Sequence, residues 1–191
     1  MAIQIQETTR TSTPVLRQAR IGEVAFIAII RPEQRNRLRK NTATNEMEPI
    51  PNGTDGNGMP KFKKELVVHG IVMPGTTMEA RIGDNSGVPN PGDRVRLILK
   101  GKGFGDYIEA KRNHRKGQLH VGDVLKLKTT FAQAYDQDGK PKNPKITSQA
   151  EADKLPRGVT VGFYGPVELY EPEPDQDWII AAAEEAYSSE E

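Results

Sequence analysis

Cysteine is absent from the 191 residues, and aromatic residues make up only 6% of them. The lack of cysteine excludes a disulfide scaffold, a thiolate zinc site and a cysteine nucleophile, and it fits a reducing compartment. No apolar run approaches the ~20 residues that a membrane helix needs. The N-terminal MAIQIQETTR also has no apolar segment of the kind found in a secretory signal. We therefore expect a cytoplasmic protein that is not held in a membrane.

Catalytic patterns are scarce as well. The three histidines, His69, His114 and His120, do not show the i,i+4 spacing of a zinc-binding helix. There is no Gly-x-Ser-x-Gly motif and no Walker lysine. His114 lies in a basic run and is expected to be solvated. These observations predict a protein that is not an enzyme and that needs no metal or cofactor, although an enzyme of an unrecognised type stays open.

Glycine and proline are abundant, with 18 and 14 residues, and this favours short strands joined by turns. Apolar runs and alternation predict strands over 24–30, 65–73, 94–100, 121–131 and 159–170, with 78–82 as a continuation or a further strand. Gly70 indicates a bulge or a bend within its strand. Short helices are predicted over 148–155, where Ser148 and Glu151 form a capping pattern, and over 178–187.

These elements predict a mainly all-β protein, a small Greek-key barrel of the OB-fold type, with a β-sandwich as the alternative. The chain divides into an N-terminal arm (1–20), a barrel domain (21–170) and a flexible acidic C-terminal tail (171–191). A long basic loop over 31–60 lies within the barrel domain, and its glycines and prolines predict a mobile segment.

Charge divides the chain unequally. Residues 171–191 contain eight acidic residues and no basic residue, which leaves 27 basic and 18 acidic residues in positions 1–170. A basic body suggests a polyanionic partner, and an acidic tail suggests an interaction segment. An ordinary solubilising tail is the plainer alternative.

A glycine-spaced stretch after the third strand combines lysines and aromatics. Lys102-Gly103-Phe104-Gly105 resembles the start of the RNP1-type motif, which cold-shock OB domains also use. Asp106 stands where the second aromatic of that motif belongs, and Tyr107 follows one place late. Phe104 and Tyr107 are candidates for stacking on bases. The alternative is a glycine-rich turn in which Phe104 fills the core.

Two strands, 94–100 and 121–131, are each introduced by Gly-Asp and each carry lysine or arginine on one face. Their shared design predicts that they are neighbouring strands of one sheet, which would merge these cations into a single patch. Tyr135 and Tyr164 are further candidates for stacking. The predicted nucleic-acid-binding residues are Lys61, Lys63, Lys64, Arg94, Arg96, Lys100, Lys102, Phe104, Tyr107, Lys111, Arg112, Arg115, Lys126, Lys128, Tyr135 and Tyr164.

A basic barrel followed by an acidic C-terminus resembles the single-stranded DNA-binding proteins, particularly those of phages. The resemblance covers the architecture of about residues 60–191. It implies that the barrel groove binds single-stranded DNA, with RNA as the alternative, and that the tail recruits replication or recombination enzymes or competes with DNA for the groove. A phage protein would act in the host cytoplasm. The partner-binding residues implied are Asp175, Asp177, Trp178, Glu184, Glu185, Glu190 and Glu191.

The main alternative function is that of a virion structural protein, a tail or decoration component built on a β-barrel or sandwich. Long loops, few aromatics and an N-terminal arm fit that class too. The sequence also leaves open whether the chain forms a homo-oligomer.

Overall fold

The computed structural model describes residues 13–142 and 144–189, which form a mainly β protein. The strands are β1 (Val15–Leu16), β2 (Val24–Asn36), β3 (Leu38–Lys40), β4 (Met47–Pro49), β5 (Pro51–Thr54), β6 (Pro60–Phe62), β7 (Lys64–Val72), β8 (Ala80–Ile82), β9 (Asn85–Gly87), β10 (Arg94–Lys100), β11 (Val124–Lys128), β12 (Phe131–Tyr135), β13 (Thr160–Tyr164) and β14 (Val167–Tyr170). The α-helices are α1 (Lys102–Asn113), α2 (Gln149–Ala152) and α3 (Asp177–Ser188). None of the helices in these ranges is both long and apolar enough to cross a membrane.

Part of the predicted chain organisation falls outside this description. Residues 1–12 of the predicted N-terminal arm, and Glu190 and Glu191 of the predicted partner-binding set, lie outside the described residues. The rest of the arm supplies β1, which lies between two longer elements of the sheet.

Eight strands form one mixed sheet in the order β14-β11-β2-β7-β10-β1-β8-β9. The pairs from β14 to β10 are all antiparallel, and β1 joins β10 in parallel. The prediction that β10 and β11 are neighbours is wrong, because β2 and β7 lie between them. The predicted last strand is also divided, since the chain breaks at Gly165-Pro166 into β13 and β14. A Cβ at Gly165 would lie 1.5 Å from the carbonyl oxygen of Lys128, so only glycine fits this break.

The main core lies on one side of this sheet, which we call the inner face. Val95, Leu97 and Leu99 alternate along β10 and are all buried there, as the sequence pattern predicted. α1 follows β10 and covers the same core with Tyr107, which is 2% exposed. The opposite side of the sheet is called the outer face.

α1 corrects the prediction of an extended, RNP1-like segment after β10. Gly101 turns the chain with φ 49°, and the helix begins at Lys102. Phe104 and Tyr107 are three residues apart and therefore share one side of the helix, which packs on the core. This burial stabilises a helix whose two internal glycines alone would disfavour it.

Gly70 lies at a close approach of β2 and β7. A Cβ at this position would lie 2.2 Å from Cγ2 of Ile27 and 2.6 Å from the carbonyl oxygen of Ala28. The register of β2 shifts between Ile29 and Arg31, directly beside Gly70. The irregularity predicted at Gly70 is therefore present, but the bulged residue lies on β2 and not on β7.

The prediction of a mobile loop over 31–60 is wrong, and residues 37–63 form an ordered extension that we call the β-arm. β2 continues through Pro32 to Asn36, and the hairpins β3–β4 and β5–β6 follow. Three backbone hydrogen bonds join the hairpins at their base: Arg37 N donates to Lys63 O, Lys63 N to Ile50 O and Ile50 N to Arg37 O, at 2.8–2.9 Å. Local pairing, not burial in a core, satisfies the backbone of this segment.

The acidic C-terminal segment is a docked helix, which corrects the prediction of a flexible tail. Ile179, Ala183 and Ala186 follow helical spacing on one side of α3 and are at most 2% exposed. They form a second core on the outer face with buried side chains of three strands and the turn after β7: Ala28, Ile30, Ile71, Met73 and Val124. The sheet is therefore covered on both faces where α3 packs on it.

Candidate nucleic-acid interface

The outer face beyond α3 is open and carries rows of charged side chains across the strands. Register places Lys100 of β10 beside Glu65 of β7, and Glu65 beside Arg35 of β2. Arg35 Nε lies 2.8 Å and Lys100 Nζ 3.6 Å from the Glu65 carboxylate. Because Glu65 is largely buried, these two cations fix one carboxylate between them.

A second row contains Arg31, His69 and Arg96, which are register partners on the same three strands. His69 Nε2 lies 3.2 Å and Arg31 Nη1 3.4 Å from Oε2 of Glu33. The hydrogen bond with His69 lowers the pKa of Glu33, desolvation by burial opposes this, and the charges of His69, Arg31 and Arg35 lower it further. The two rows set four arginine and lysine side chains against two carboxylates, so this surface has an excess of positive charge.

A groove with a volume of about 380 Å³ lies beside these rows, between β1, β10, the first turn of α1 and β13. Lys100, Lys102 and Tyr164 all line it, so the structure brings together three of the predicted binding residues. Arg17 and Phe163 line it as well. Lys102 Nζ lies 2.7 Å from the carboxylate of Asp106, one helical turn away, which orients the lysine at the groove.

Three aromatic rings gather on the hairpin β12–β13. The rings of Phe131 and Tyr164 are stacked with centroids 5.4 Å apart, and the hydroxyls of Tyr135 and Tyr164 are 2.5 Å apart. Lys145 Nζ lies 4.8 Å from the centroid of Phe131. Tyr135 and Tyr164, predicted separately from the sequence, therefore belong to one preorganised platform.

Gly162 explains why the Tyr164 ring can lie along its own strand. A Cβ at Gly162 would lie 2.4 Å from the Tyr164 hydroxyl, so the ring occupies the space that any other residue would fill. Burial and the hydrogen bond with Tyr135 raise the pKa of Tyr164 to about 12, and the charge of Arg37 opposes the rise. Arg37, at the base of the β-arm, is thus close enough to the platform to act on its hydroxyl.

Several predicted binding residues lie elsewhere. The prediction for Tyr107 is wrong, because its ring is buried against the core and has no face for a base. Phe104 is half-buried against the same core, as its alternative reading proposed. Arg94 lies at the covered end of the outer face, where its Nη2 donates to Oγ of Ser189 at 3.1 Å.

The basic residues late in α1 and on β11 are also separate from the groove. Arg115 binds Asp123 and Glu171, at 3.1 Å and 3.5 Å, and so serves the fold. Lys126 binds Glu168 at 3.0 Å, near the Tyr170 ring. Three further lysines and arginines are on the surface of these elements: Lys111, Arg112 and Lys128.

The β-arm and α3 hold the remaining predicted residues. Lys61 and Lys63 are exposed on the β-arm, and Lys64, at the start of β7, donates to Asn36 at 2.6 Å. The described partner-binding residues all lie on the solvent side of the C-terminal segment: Asp175, Asp177, Trp178, Glu184 and Glu185. Trp178 is 49% exposed and its ring reaches Gly92.

Sequence reasoning missed four residues of this interface. Arg17 and Arg37 lie outside any legible strand pattern, and nothing local distinguishes them from other surface arginines. Phe131 and Phe163 follow the apolar alternation of two different predicted strands, 121–131 and 159–170, and that alternation assigned both to the core. The break at Gly165-Pro166 is the signal that β13 lies outside the eight-stranded sheet and pairs with β12.

Comparison of the chain with protein-family models, with curated proteins and with solved structures finds no significant match.

Proposed function

We propose that this protein binds single-stranded DNA with little sequence preference, on a barrel of the OB-fold type. The OB-fold is a five-stranded, partly open Greek-key barrel. Here β2, β7, β10, β11 and β14 supply five strands in a matching order, with α1 between the third and the fourth. α1 contacts both β10 and β14, along the seam where the sheet does not close.

The placement of the candidate interface supports this proposal. Nucleic acids bind an OB-fold on the face of its second and third strands, between the loops that follow the first and fourth strands. The corresponding strands are β7 and β10, which carry the charged rows. The corresponding loops are the β-arm and the segment that contains the hairpin β12–β13. Both are long here.

The chief observation behind the proposal is the aromatic platform beside cations. Tyr164 lines the same groove as Lys100 and Lys102, and its ring is held by a stacked contact with Phe131 and a hydrogen bond with Tyr135. Stacked rings accept any base, and lysines contact phosphates without reading sequence. The arrangement fits a binding protein in replication or recombination, where strands of every sequence must be covered.

The test is fluorescence anisotropy with labelled oligo(dT), oligo(dA), oligo(U) and a DNA duplex at two salt concentrations. We expect similar affinities for the two DNA single strands, weaker binding of the duplex and a steep loss of affinity with salt. Tyr164→Leu removes the central ring and should weaken binding by about 5- to 150-fold, which corresponds to ~1–3 kcal/mol per stacked base.

Tyr170→Leu is the matched control, because Tyr170 is exposed on the edge strand β14, away from the platform. It should bind like the native chain. No binding of any oligonucleotide at low salt would overturn the proposal. A large assembly in light scattering would then favour the virion structural alternative.

The acidic helix α3 has a different proposed role from the groove. Its buried side holds it on the outer face, so we propose that its exposed acidic residues and Trp178 recruit replication or recombination enzymes. Glu184→Gln combined with Glu185→Gln leaves the buried side of α3 intact. This variant is expected to bind oligo(dT) within about twofold of the native chain. A much larger gain would instead support competition between the helix and DNA.

A further inference from the structure

Three arginines lie together on the strands that extend the sheet beyond its five antiparallel members. Register aligns Arg81 of β8 with Val15 of β1, and Val15 with Arg96 of β10. Cross-strand partners point to the same face of a sheet, and Arg17 follows Val15 by two residues. The guanidinium groups of Arg17, Arg81 and Arg96 therefore converge on one side.

These arginines surround a small, mostly polar cavity of about 340 Å³, with Thr13 and Gly83 at its rim. Backbone carbonyls orient two of the guanidinium groups: Arg96 Nη2 donates to Thr13 O at 3.0 Å, and Arg81 Nε donates to Gly83 O at 2.6 Å. Each group keeps further N–H donors that these bonds do not use.

Among the described residues, almost no carboxylate neutralises the three arginines at this cavity. Arg81 contacts the carboxylate of Asp84 at 3.6 Å, and that side chain is fully exposed, so water screens the pair. Within residues 13–142 and 144–189, Arg17 and Arg96 contact no carboxylate, and Arg96 Nε is a buried donor without an acceptor. Three like charges gathered in this way favour an anionic ligand.

The cavity continues into the groove of the candidate interface. Val15 and Arg17 line both of them, so Arg17 stands where one opens into the other. Neighbouring strands are about 4.8 Å apart, which puts β8 about 14 Å from β7 along the outer face. A ligand that begins at Tyr164 and passes Lys100 thus meets the arginines next.

We propose that Arg17, Arg81 and Arg96 bind successive phosphodiester groups of the single strand whose bases stack at Tyr164. The proposal rests on the proposed function and adds that the strand crosses β10, β1 and β8 instead of ending at the barrel. Arginine binds carboxylates as well as phosphates, but the continuity with a groove lined by lysines and rings favours a nucleic-acid backbone over an acidic peptide.

The test compares the full chain with Arg17→Gln/Arg81→Gln, which spares Arg96 and its bond to Thr13. Oligo(dT) of increasing length, from about 4 to about 24 nucleotides, covers the range of site sizes known for OB-folds. The variant should reach its maximal affinity at a shorter length than the native chain. Its log–log salt slope with the longest strand should fall by about 1.4, or ~0.7 for each lost phosphate contact.

Lys116→Gln/Lys154→Gln is the matched control, since it removes the same charge from exposed positions after α1 and beside α2, off the groove and outside the predicted binding residues. It should reproduce the native length dependence and salt slope. Identical length dependence and slope for the native chain and Arg17→Gln/Arg81→Gln would overturn the arginine site while leaving the proposed function intact.

Failure of the proposed function looks different, because the native chain would then bind no oligonucleotide of any length. Poly-glutamate tests the remaining alternative, an acidic peptide. The proposal would be wrong if poly-glutamate displaced long oligo(dT) from the native chain as well as unlabelled oligo(dT) does, and failed to displace it from Arg17→Gln/Arg81→Gln. The site would then be assigned to acidic peptides.

Discussion

Nε2 of His114 lies 2.9 Å from Oδ2 of Asp123, and both side chains are buried, so the prediction of a solvated His114 is wrong. The same carboxylate accepts hydrogen bonds from the backbone N–H of His120, at 2.8 Å, and from Arg115, at 3.1 Å. Between the two residues the chain turns back from α1 to β11, with Arg115 and Lys116 at φ 43° and 55°. Asp123 therefore holds together a turn whose backbone is otherwise unfavourable for non-glycine residues.

Replacing Asp123 should destabilise the protein strongly. Asp123→Ala leaves a buried imidazole and two other donors without their acceptor, and removing one member of a buried charged network costs about 3–5 kcal/mol. Urea denaturation measures the free energy of unfolding. Asp138→Ala is the control, because Asp138 lies exposed at the turn after β12 and should change stability by less than about 0.5 kcal/mol. Similar losses for both variants would show that the network contributes little.

Gly70→Ala should also destabilise the fold, for steric reasons. The added Cβ would collide with Ile27 and with the backbone of Ala28, and neither can retreat without disturbing the pairing of β2 with β7. We expect a loss of about 1–3 kcal/mol or more, typical of an overfilled core. Gly56→Ala is the matched control, since its Cβ would meet nothing within 4 Å and its φ is not in the left-handed region. Thermal unfolding of both variants measures the difference, and equal melting temperatures would contradict the expectation.

The elements that the sequence predicts well are those whose alternation reports burial on one face. β10 begins and ends at the predicted residues because Val95, Leu97 and Leu99 alternate with polar or partly exposed neighbours. The capped helix after Ser148 is confirmed too, and the Ser148 side chain accepts from the N–H of Glu151. In both places local chemistry and tertiary packing favour the same structure.

Other elements depend on contacts that no local pattern reveals. α1 exists because Phe104 and Tyr107 pack on the core, despite Gly103 and Gly105 within the helix. The β-arm forms because its hairpins pair with one another at Arg37, although their composition is typical of a loop. The separation of Lys126 from Lys100 by two strands follows from topology, which strand patterns alone do not determine.

One feature of the sequence does indicate the docking site of α3. VAFIAII of β2 is a continuous apolar run, and such runs are typical of strands covered on both faces. Ile27 and Ile29 are buried in the inner core, whereas Ala28 and Ile30 are buried under α3. The outer face of β2 therefore needed apolar side chains to cover it. The C-terminal segment supplies them in α3.

Ile179→Ala tests whether α3 is part of the fold. Ile179 is fully buried, so its truncation should cost about 2–5 kcal/mol by loss of packing and formation of a cavity. Glu184→Ala, on the exposed side of the same helix, should change stability by less than about 0.5 kcal/mol. Chemical denaturation compares the two. A freely moving tail would give two variants as stable as the native chain.

Removal of the β-arm should separate binding from folding. None of its residues belongs to either core, and Arg37 N already donates to Lys63 O at 2.8 Å, so a two-residue turn can replace residues 38–62. We expect the free energy of unfolding to stay within about 1 kcal/mol of the native value, because little apolar area leaves the core.

Binding of oligo(dT) by the shortened chain should weaken, although the removed segment has no net charge. Residues 38–62 contain three basic and three acidic residues, so a change in net charge cannot explain a loss. If Arg39, Lys40 and Lys61 contact phosphates, the log–log salt slope should fall by up to about 2. Replacing these three by Gln in the intact arm should reproduce that fall. A shortened chain that binds oligo(dT) with the native affinity and slope would place the arm outside the interface, and the contacts would then be confined to the groove and the outer face.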